Sequence, residues 1–414
     1  MLEVIPVETT RQTYLRGPLN IHYICDPEII TELLVGEGRR FPKARFTKDI
    51  IGSAVGNGLI LSEGERWKKQ RHRYSPLFAA RNLPMLATHF ARTGLEVADS
   101  LSDAPGIVDI NQMAPASTIT NISRVIFSGN EEVSAQQIRA GLKTYFDYIS
   151  DISLFDLMQL PKWVPRRTWL KSDKPVTTMR NLARIVIEKR RAEERETPED
   201  FLDLMIAALE EDFEDLETTV DNLLTFVVAG HETSANALSW GYYLLALFPR
   251  MQARIRQEVQ SVAPSGPVTF DDVQRMPLLK AHLKETLRLY PSAAFFARDA
   301  AEDLTIKDIT FRKGDALFFP VYSLHRNDQL WDLPDCYRPD RFENTTIPRG
   351  QYIPFGDGPR VCIGAQYSET EIMVLMASVL RQNEFSLTEA EIPRPVLTFT
   401  MRPEGPMLLE VRPV

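Results

Sequence analysis

A run of mostly apolar residues from Leu223 to Phe248 is long enough to span a bilayer, and its centre decides what the chain can become. His231, Glu232 and Asn236 lie there, where hydrocarbon would penalise them heavily. The segment therefore reads as a helix buried inside protein. Thr218 and Thr219 are its N-cap candidates, with Asp221 and Asn222 three residues on as weak reciprocal partners, and Pro249 marks its end. A helix from Thr219 to Phe248 measures about 45 Å at 1.5 Å per residue. Few globular helices reach that length, so it is expected to cross the whole molecule.

Composition allows a core around such a helix: 414 residues, 44% hydrophobic and 25% charged. The 48 basic and 56 acidic residues leave a net charge of −8, which argues against general nucleic-acid affinity. Three scattered cysteines (Cys25, Cys336, Cys362) point away from a disulfide framework and toward a reducing compartment, the cytoplasm. Met1 to Arg16 carries Glu3, Glu8 and Arg11 with no apolar core, so neither a signal peptide nor a membrane anchor is expected there. The acidic run from Glu193 to Glu217 reads as solvated helix faces.

Helical periodicity dominates residues 60–290, and β-rich stretches fall at about 14–24, 294–322 and 396–411. Lys307-Asp308 and Arg312-Lys313-Gly314-Asp315 are turn sequences. Pro403-Glu404-Gly405-Pro406 is expected to be the tip of a hairpin between Leu397–Met401 and Met407–Val411. No repeat or linker divides the chain. The expectation is one domain over residues 1–414, mainly α with smaller β-sheets (α+β), a mixed lobe beside a helical one.

Chemistry concentrates in Phe355-Gly-Asp-Gly-Pro-Arg-Val-Cys-Ile-Gly364. Its glycines permit tight backbone geometry and close approach of a flat ligand. Helical spacing resumes after Gly364, placing Cys362 just before a helix N-terminus, whose partial positive charge favours thiolate, the metal-binding form. A lone cysteine in such a turn would ordinarily be a buried structural thiol. Phe-x-x-Gly-x-Arg-x-Cys-x-Gly fixes five positions, however, and a chance match is on the order of one in ten thousand at average residue usage. The pattern resembles the haem-binding signature of the cytochrome P-450 family, and the resemblance extends from about Tyr14 onward. It implies the cytochrome P-450 fold, with the long helix crossing over a haem b held by Cys362 as axial iron ligand. Phe355 and Gly356 would flank the haem. No Cys-x-x-Cys-His occurs, so covalent c-type attachment is excluded.

Ala229-Gly-His-Glu-Thr233 lies midway along the long helix, with Phe226, Ala229, Gly230 and Thr233 on one face. A mid-helix hydroxyl usually bonds back to a carbonyl one turn earlier. The resemblance implies instead that Glu232 and Thr233 are the family's acid–alcohol pair, which delivers protons to dioxygen, and that Ala229 lets the haem approach. Glu285 and Arg288 form an i, i+3 pair in an apolar helix, worth only a few tenths of a kcal/mol if exposed. In the family such a pair is buried and joined by an arginine, here Arg341 of Pro339-Asp-Arg-Phe342, as a structural network supporting the cysteine loop. Asp340 stands where Glu is common. Trp67, Arg71, Arg298 and Arg360 are the implied haem propionate partners, a role for which the guanidinium fork suits.

The implied enzyme is a haem-thiolate monooxygenase that inserts one atom of dioxygen into an apolar organic substrate. Its electrons come from NAD(P)H through a ferredoxin or flavodoxin-type donor and its reductase, because no fused flavin or iron–sulfur domain is visible. A peroxide-dependent haem-thiolate hydroxylase or isomerase is the alternative, against which Glu232-Thr233 stands. A gas sensor or carrier is opposed by thiolate ligation, which promotes O–O cleavage over reversible storage. A zinc protein lacks any Cys/His cluster of ligand spacing. Candidate pocket walls are the Arg45–Leu61 loop, Phe226, Ala229, Ala293, Ala294, Phe295 and Phe296, and Phe399 to Met401. The basic segment Arg66-Trp-Lys-Lys-Gln-Arg-His-Arg73 is expected to turn Arg66, Lys69 and Arg73 outward for an acidic redox partner. A monomer is expected.

Overall fold

The computed structural model describes residues 11–14, 20–127, 174–193, 201–210, 215–343, 345–389, 393–397 and 400–414. Its longer helices are α1 (Arg45–Val55), α2 (Gly64–Tyr74), α3 (Leu83–Asp103), α4 (Ile110–Phe127), α5 (Lys174–Arg191), α6 (Phe201–Glu210), α7 (Leu216–Leu247), α8 (Pro249–Val262), α9 (Pro277–Leu289) and α10 (Ala365–Leu380). The residues cluster into two compact units. One comprises Met1–Pro42, Ala80–Asn121 and Glu232–Val414; the other comprises Lys43–Ala79 and Ile122–His231.

The first unit holds the sheets. Strands β1 (Arg11–Tyr14) and β2 (Ile21–Ile24) are antiparallel. β2 runs parallel to β7 (Ala316–Phe319), which is antiparallel to β4 (Phe296–Asp299). All four residues of β7 are buried, as a strand covered on both faces requires. Phe319 and Leu317 join Ile24, Ile30, Leu33 and Phe311 in a continuous apolar core. Between these strands, β5 (Leu304–Ile306) and β6 (Ile309–Phe311) form a hairpin whose tip is the expected Lys307-Asp308, with Lys307 at φ 53°. Helices α3 and α10 pack so closely that a Cβ on Gly94 would lie 2.7 Å from Ser378.

The C-terminal hairpin is not as expected. β10 (Met401–Pro403) pairs with β9 (Pro395–Leu397), while β11 (Leu408–Pro413) pairs with β3 (Gly106–Asp109) and β8 (Asn383–Leu387). The Pro403–Pro406 turn therefore links two different sheets and does not close one hairpin. β3 and β8 fall outside the three expected β-rich stretches.

In the second unit, α7 begins at Leu216 and has 32 residues, about 48 Å at 1.5 Å per residue. Its cap is Asp215, whose Oδ1 accepts the Thr218 amide at 2.7 Å, and not Thr218 or Thr219. Asp221 and Asn222 serve a distant segment instead: their side chains accept the amides of Asn57 (2.7 Å) and Leu59 (2.8 Å). The Arg45–Leu61 segment, expected as a loop, is helix α1 followed by that anchored turn. Phe46, Ile51 and Val55 are buried along it. Within the acidic run, Asp203 is not solvated but buried against Arg190 at 2.9 Å; residues 194–200 and 211–214 lie outside the described residues. No described helix is long and apolar enough to cross a membrane.

Candidate functional site

Cys362 occupies a turn closed by its own amide, which donates to the Phe355 carbonyl at 2.9 Å. Two glycines set this turn. Gly358, at φ +71°, lies so close to the Leu34 backbone that a Cβ would come within 2.1 Å of its carbonyl oxygen. Gly356, at φ +74°, faces open space where a flat group can lie against backbone. Asp357 accepts the Gly358 amide and pairs with Arg349, whose guanidinium holds its carboxyl below the usual range. Cys362 is exposed, and α10 begins three residues later, directing its positive end toward the turn.

The Glu285–Arg288 pair is buried in α9, and Arg288 donates to both carboxylate oxygens, at 2.7 and 2.8 Å. Its remaining donors take the carbonyls of His325 (2.7 Å), Pro334 (2.6 Å) and Cys336 (3.1 Å). Arg341 approaches Glu285 at 3.5 Å and donates to the Leu333 carbonyl at 2.7 Å. The connection to the cysteine loop passes through His325. Burial, then the charges of Arg288 and Arg326, push its imidazole down to about 3. It stays neutral, and its Nε2 accepts the Ile353 amide at 3.0 Å. The Gly356 amide in turn donates to the Ile353 carbonyl at 3.0 Å.

Along α7, every residue from Asn222 to Ala246 is buried except Phe226 and the run Ala229 to Thr233. The residues expected on one face (Phe226, Ala229, Gly230 and Thr233) all retain some exposure, but so do His231 and Glu232 beside them. One carboxylate oxygen of Glu232 is buried. Ser292 was not singled out in the sequence, yet it joins three candidate segments. Its hydroxyl donates to the Thr233 carbonyl at 2.7 Å, and its carbonyl accepts the Met401 amide at 2.9 Å. Asn236 reaches Thr400 at 3.1 Å. Residues 292–296 and 400–401 are therefore fixed beside α7.

Of the pocket candidates in the first unit, Ala293 is exposed, Ala294 buried, Phe295 half-buried and Met401 fully buried. Phe296 stacks on Phe319 at 4.8 Å within the sheet. Phe399 lies outside the described residues. Phe226, in the second unit, is gripped edge-on by Tyr74 (5.4 Å) and Phe201 (5.3 Å).

Among the candidate propionate partners, Arg298 is buried in β4, with its guanidinium over Phe296 at 5.6 Å. Arg360 closes the short turn before Val361 and is half-buried, as are Trp67 and Arg71 on α2. The outward face of α2 agrees with expectation at Arg66 and Lys69, which are exposed, and differs at Arg73, which is half-buried and donates to the Ala207 carbonyl at 3.2 Å; Arg66 also donates to Thr218 at 2.7 Å. Both guanidiniums find acceptors on neighbouring helical segments that spacing along α2 does not reveal. A haem fits the donor set on these grounds: an exposed cysteine just before a helix N-terminus, an open glycine in the same turn and a buried arginine on β4.

A family profile described as Cytochrome P450 matches residues 12–411. The chain is 27% identical to a cytokinin hydroxylase of Arabidopsis thaliana, over 94% of this chain and 79% of that protein. It is 28% identical to cytochrome P450 3A12 of Canis lupus familiaris, over 94% and 82%. The crystal structure of the cytochrome P450DA heme domain superposes with a TM-score of 0.82 at 24% identity, over 98% of this chain and 90% of that one. The chain therefore belongs to the cytochrome P450 family of haem-thiolate monooxygenases, which use haem b, dioxygen and electrons from NAD(P)H delivered by partner proteins.

Proposed function

We propose that this monooxygenase inserts one oxygen atom into an apolar organic substrate, with Cys362 as the residue that would hold the haem iron and a separate ferredoxin or flavodoxin-type protein as electron donor. The observation that carries the reading is the Cys362 turn: an exposed sulfur, clamped through its amide and aimed from the N-terminus of α10. Bound haem supplies an iron that binds and activates dioxygen. Cys362 would hold it through its sulfur, whose negative charge the positive end of α10 favours. Arg298 and Arg360, with Trp67 and Arg71 on the motif match alone, would hold the propionates. The family match across both compact units supports reading them as one catalytic domain.

On α7, the Thr233 hydroxyl holds a proton for dioxygen and the Glu232 carboxyl resupplies it. The Ser292 hydroxyl on the Thr233 carbonyl fixes that part of the backbone. Half-buried Phe295 and exposed Ala293 support an apolar binding wall that keeps water out. The name of the Arabidopsis relative, a hydroxylase, supports oxygen insertion as the reaction. The exposed lysines Lys68 and Lys69 support docking of an acidic donor. Turnover with a library of apolar compounds, a redox partner pair and isotopically labelled dioxygen tests the proposal. One labelled oxygen per product is expected. Unlabelled product, or equal turnover with peroxide and no donor, would overturn it.

A further inference from the structure

The short helix Pro27–Thr31 runs into an irregular turn. Asp26 caps its start, with Oδ1 accepting the amides of Glu28 (2.9 Å) and Ile29 (3.2 Å). Glu32–Gly36 then widen into a π turn, closed by the Glu37 amide donating to the Glu32 carbonyl, five residues back, at 2.8 Å. Such turns are rare in helices and recur at functional sites. Leu33 and Leu34 are buried in the same apolar core as Ile353, so their side chains hold the widened turn in place.

The segment that meets this turn is the one leading to Cys362. A Cβ on Gly350 would overlap the Pro27 carbonyl oxygen and stand 2.8 Å from the Thr31 Oγ1. A Cβ on Gly358 would overlap the Leu34 carbonyl oxygen and stand 2.8 Å from its carbon and 3.4 Å from the Val35 Cα. The two backbones therefore touch twice, once beside the regular helix and once beside the π turn, with no side chain between them. Arg349 and Asp357 clasp the intervening loop with a fork of two hydrogen bonds, each 2.9 Å. From Gly358 to the cysteine is one tight turn: the Gly358 carbonyl accepts the Val361 amide at 3.1 Å, and Cys362 follows. A shift of the Leu34–Val35 peptide is thus passed to Cys362 through backbone and not through a flexible side chain.

We propose that the π turn Glu32–Gly36 is the seat of the cysteine turn, and that Leu34, Val35 and Gly358 are positioning residues that set where the Cys362 sulfur stands. The inference rests on the reading of Cys362 as the residue that would hold the haem iron. The extra residue of the π turn presents the Leu34–Val35 peptide to Gly358. A regular turn, one residue shorter, would carry that peptide about 100° round the helix axis, at 3.6 residues per turn. Gly358 would then face a gap, the cysteine turn would have room to move, and the sulfur could leave the iron.

Two variants of the holoenzyme test the seat, read in the reduced carbon monoxide spectrum and in hydrogen exchange of the peptide holding the Cys362 amide. Deletion of Val35 makes the turn regular and touches no residue of the cysteine segment. Gly358→Ala sets a methyl group against the Leu34 carbonyl. In each, the ratio of strongly red-shifted to unshifted complex should fall roughly fivefold or more, and the Cys362 amide should exchange faster. Together they should cost less than the sum of the two, because the shared contact is lost only once. Gly36→Ala is the control: its Cβ would meet only the flexible end of the Glu32 side chain, so both readings should stay parental. If the deletion fails to fold, Gly358→Ala beside this control still decides. A parental spectrum or parental exchange in a folded variant, whatever its melting temperature, would overturn the proposal. A parent without the red-shifted band would refute Cys362 as iron ligand, and amide exchange would still read the seat.

Discussion

Replacing Arg288 by alanine removes five hydrogen bonds from the interior: two to Glu285 and one each to the carbonyls of His325, Pro334 and Cys336. Glu285 would retain the Arg338 amide at 2.7 Å and the longer Arg341 contact at 3.5 Å. Both side chains of the pair are 0% exposed, so water is not at hand to replace the lost fork. Removing one partner of a buried pair costs about 3–5 kcal/mol. The abandoned carbonyls push the figure to the top of that range, since an unsatisfied buried acceptor costs about 1–3 kcal/mol. Against a net stability of about 5–15 kcal/mol, most of the margin would go. The assay is the urea denaturation midpoint, read beside haem content per polypeptide. Arg288→Lys should fall between variant and parent, because one ammonium keeps the charge but cannot span a carboxylate and three carbonyls. An alanine variant with the parental midpoint and full haem would refute the view that this network holds residues 325–341.

Thr233→Ala should bind haem and substrate but waste electrons, so product per NAD(P)H falls and released peroxide rises; unaltered coupling would leave Thr233 a helix residue only. Lys69→Glu should slow partner-driven reduction most at low salt, where screening is weak, and leave dithionite reduction unchanged. Equal partner-driven rates across a salt series would contradict it. Burial pushes the Glu371 carboxyl up to about 7 from an ordinary 4.5, so its stability contribution is complete below about 4.5 and lost as pH rises through about 7. That amounts to at most about 3 kcal/mol. The stability difference between parent and Glu371→Gln should therefore fall across this window, and a flat difference would refute the assignment.

What could be read from the sequence was what local spacing determines. The turn around Cys362, the Glu285–Arg288 pair and the stripe from Phe226 to Thr233 each lie within one element or one turn, so residue intervals carry them. Long-range partners were hidden. Thr218 and Thr219 looked like caps because they have capping chemistry, while Asp215 took the role and Asp221 was drawn to Asn57. Ser292 meets Thr233 across 59 positions, an interval that no periodicity marks. Arg73 looked outward on a helical wheel, but the Ala207 carbonyl across the unit holds it half-buried.

The assignment of Cys362 as iron ligand is tested most directly by the absorption spectrum of the dithionite-reduced carbon monoxide complex. Charge donated by a thiolate sulfur should move the Soret band strongly to the red in the parent protein, and Cys362→His should keep haem but lose that shift. A Cys362→His protein with the red-shifted band unchanged would show that another group holds the iron.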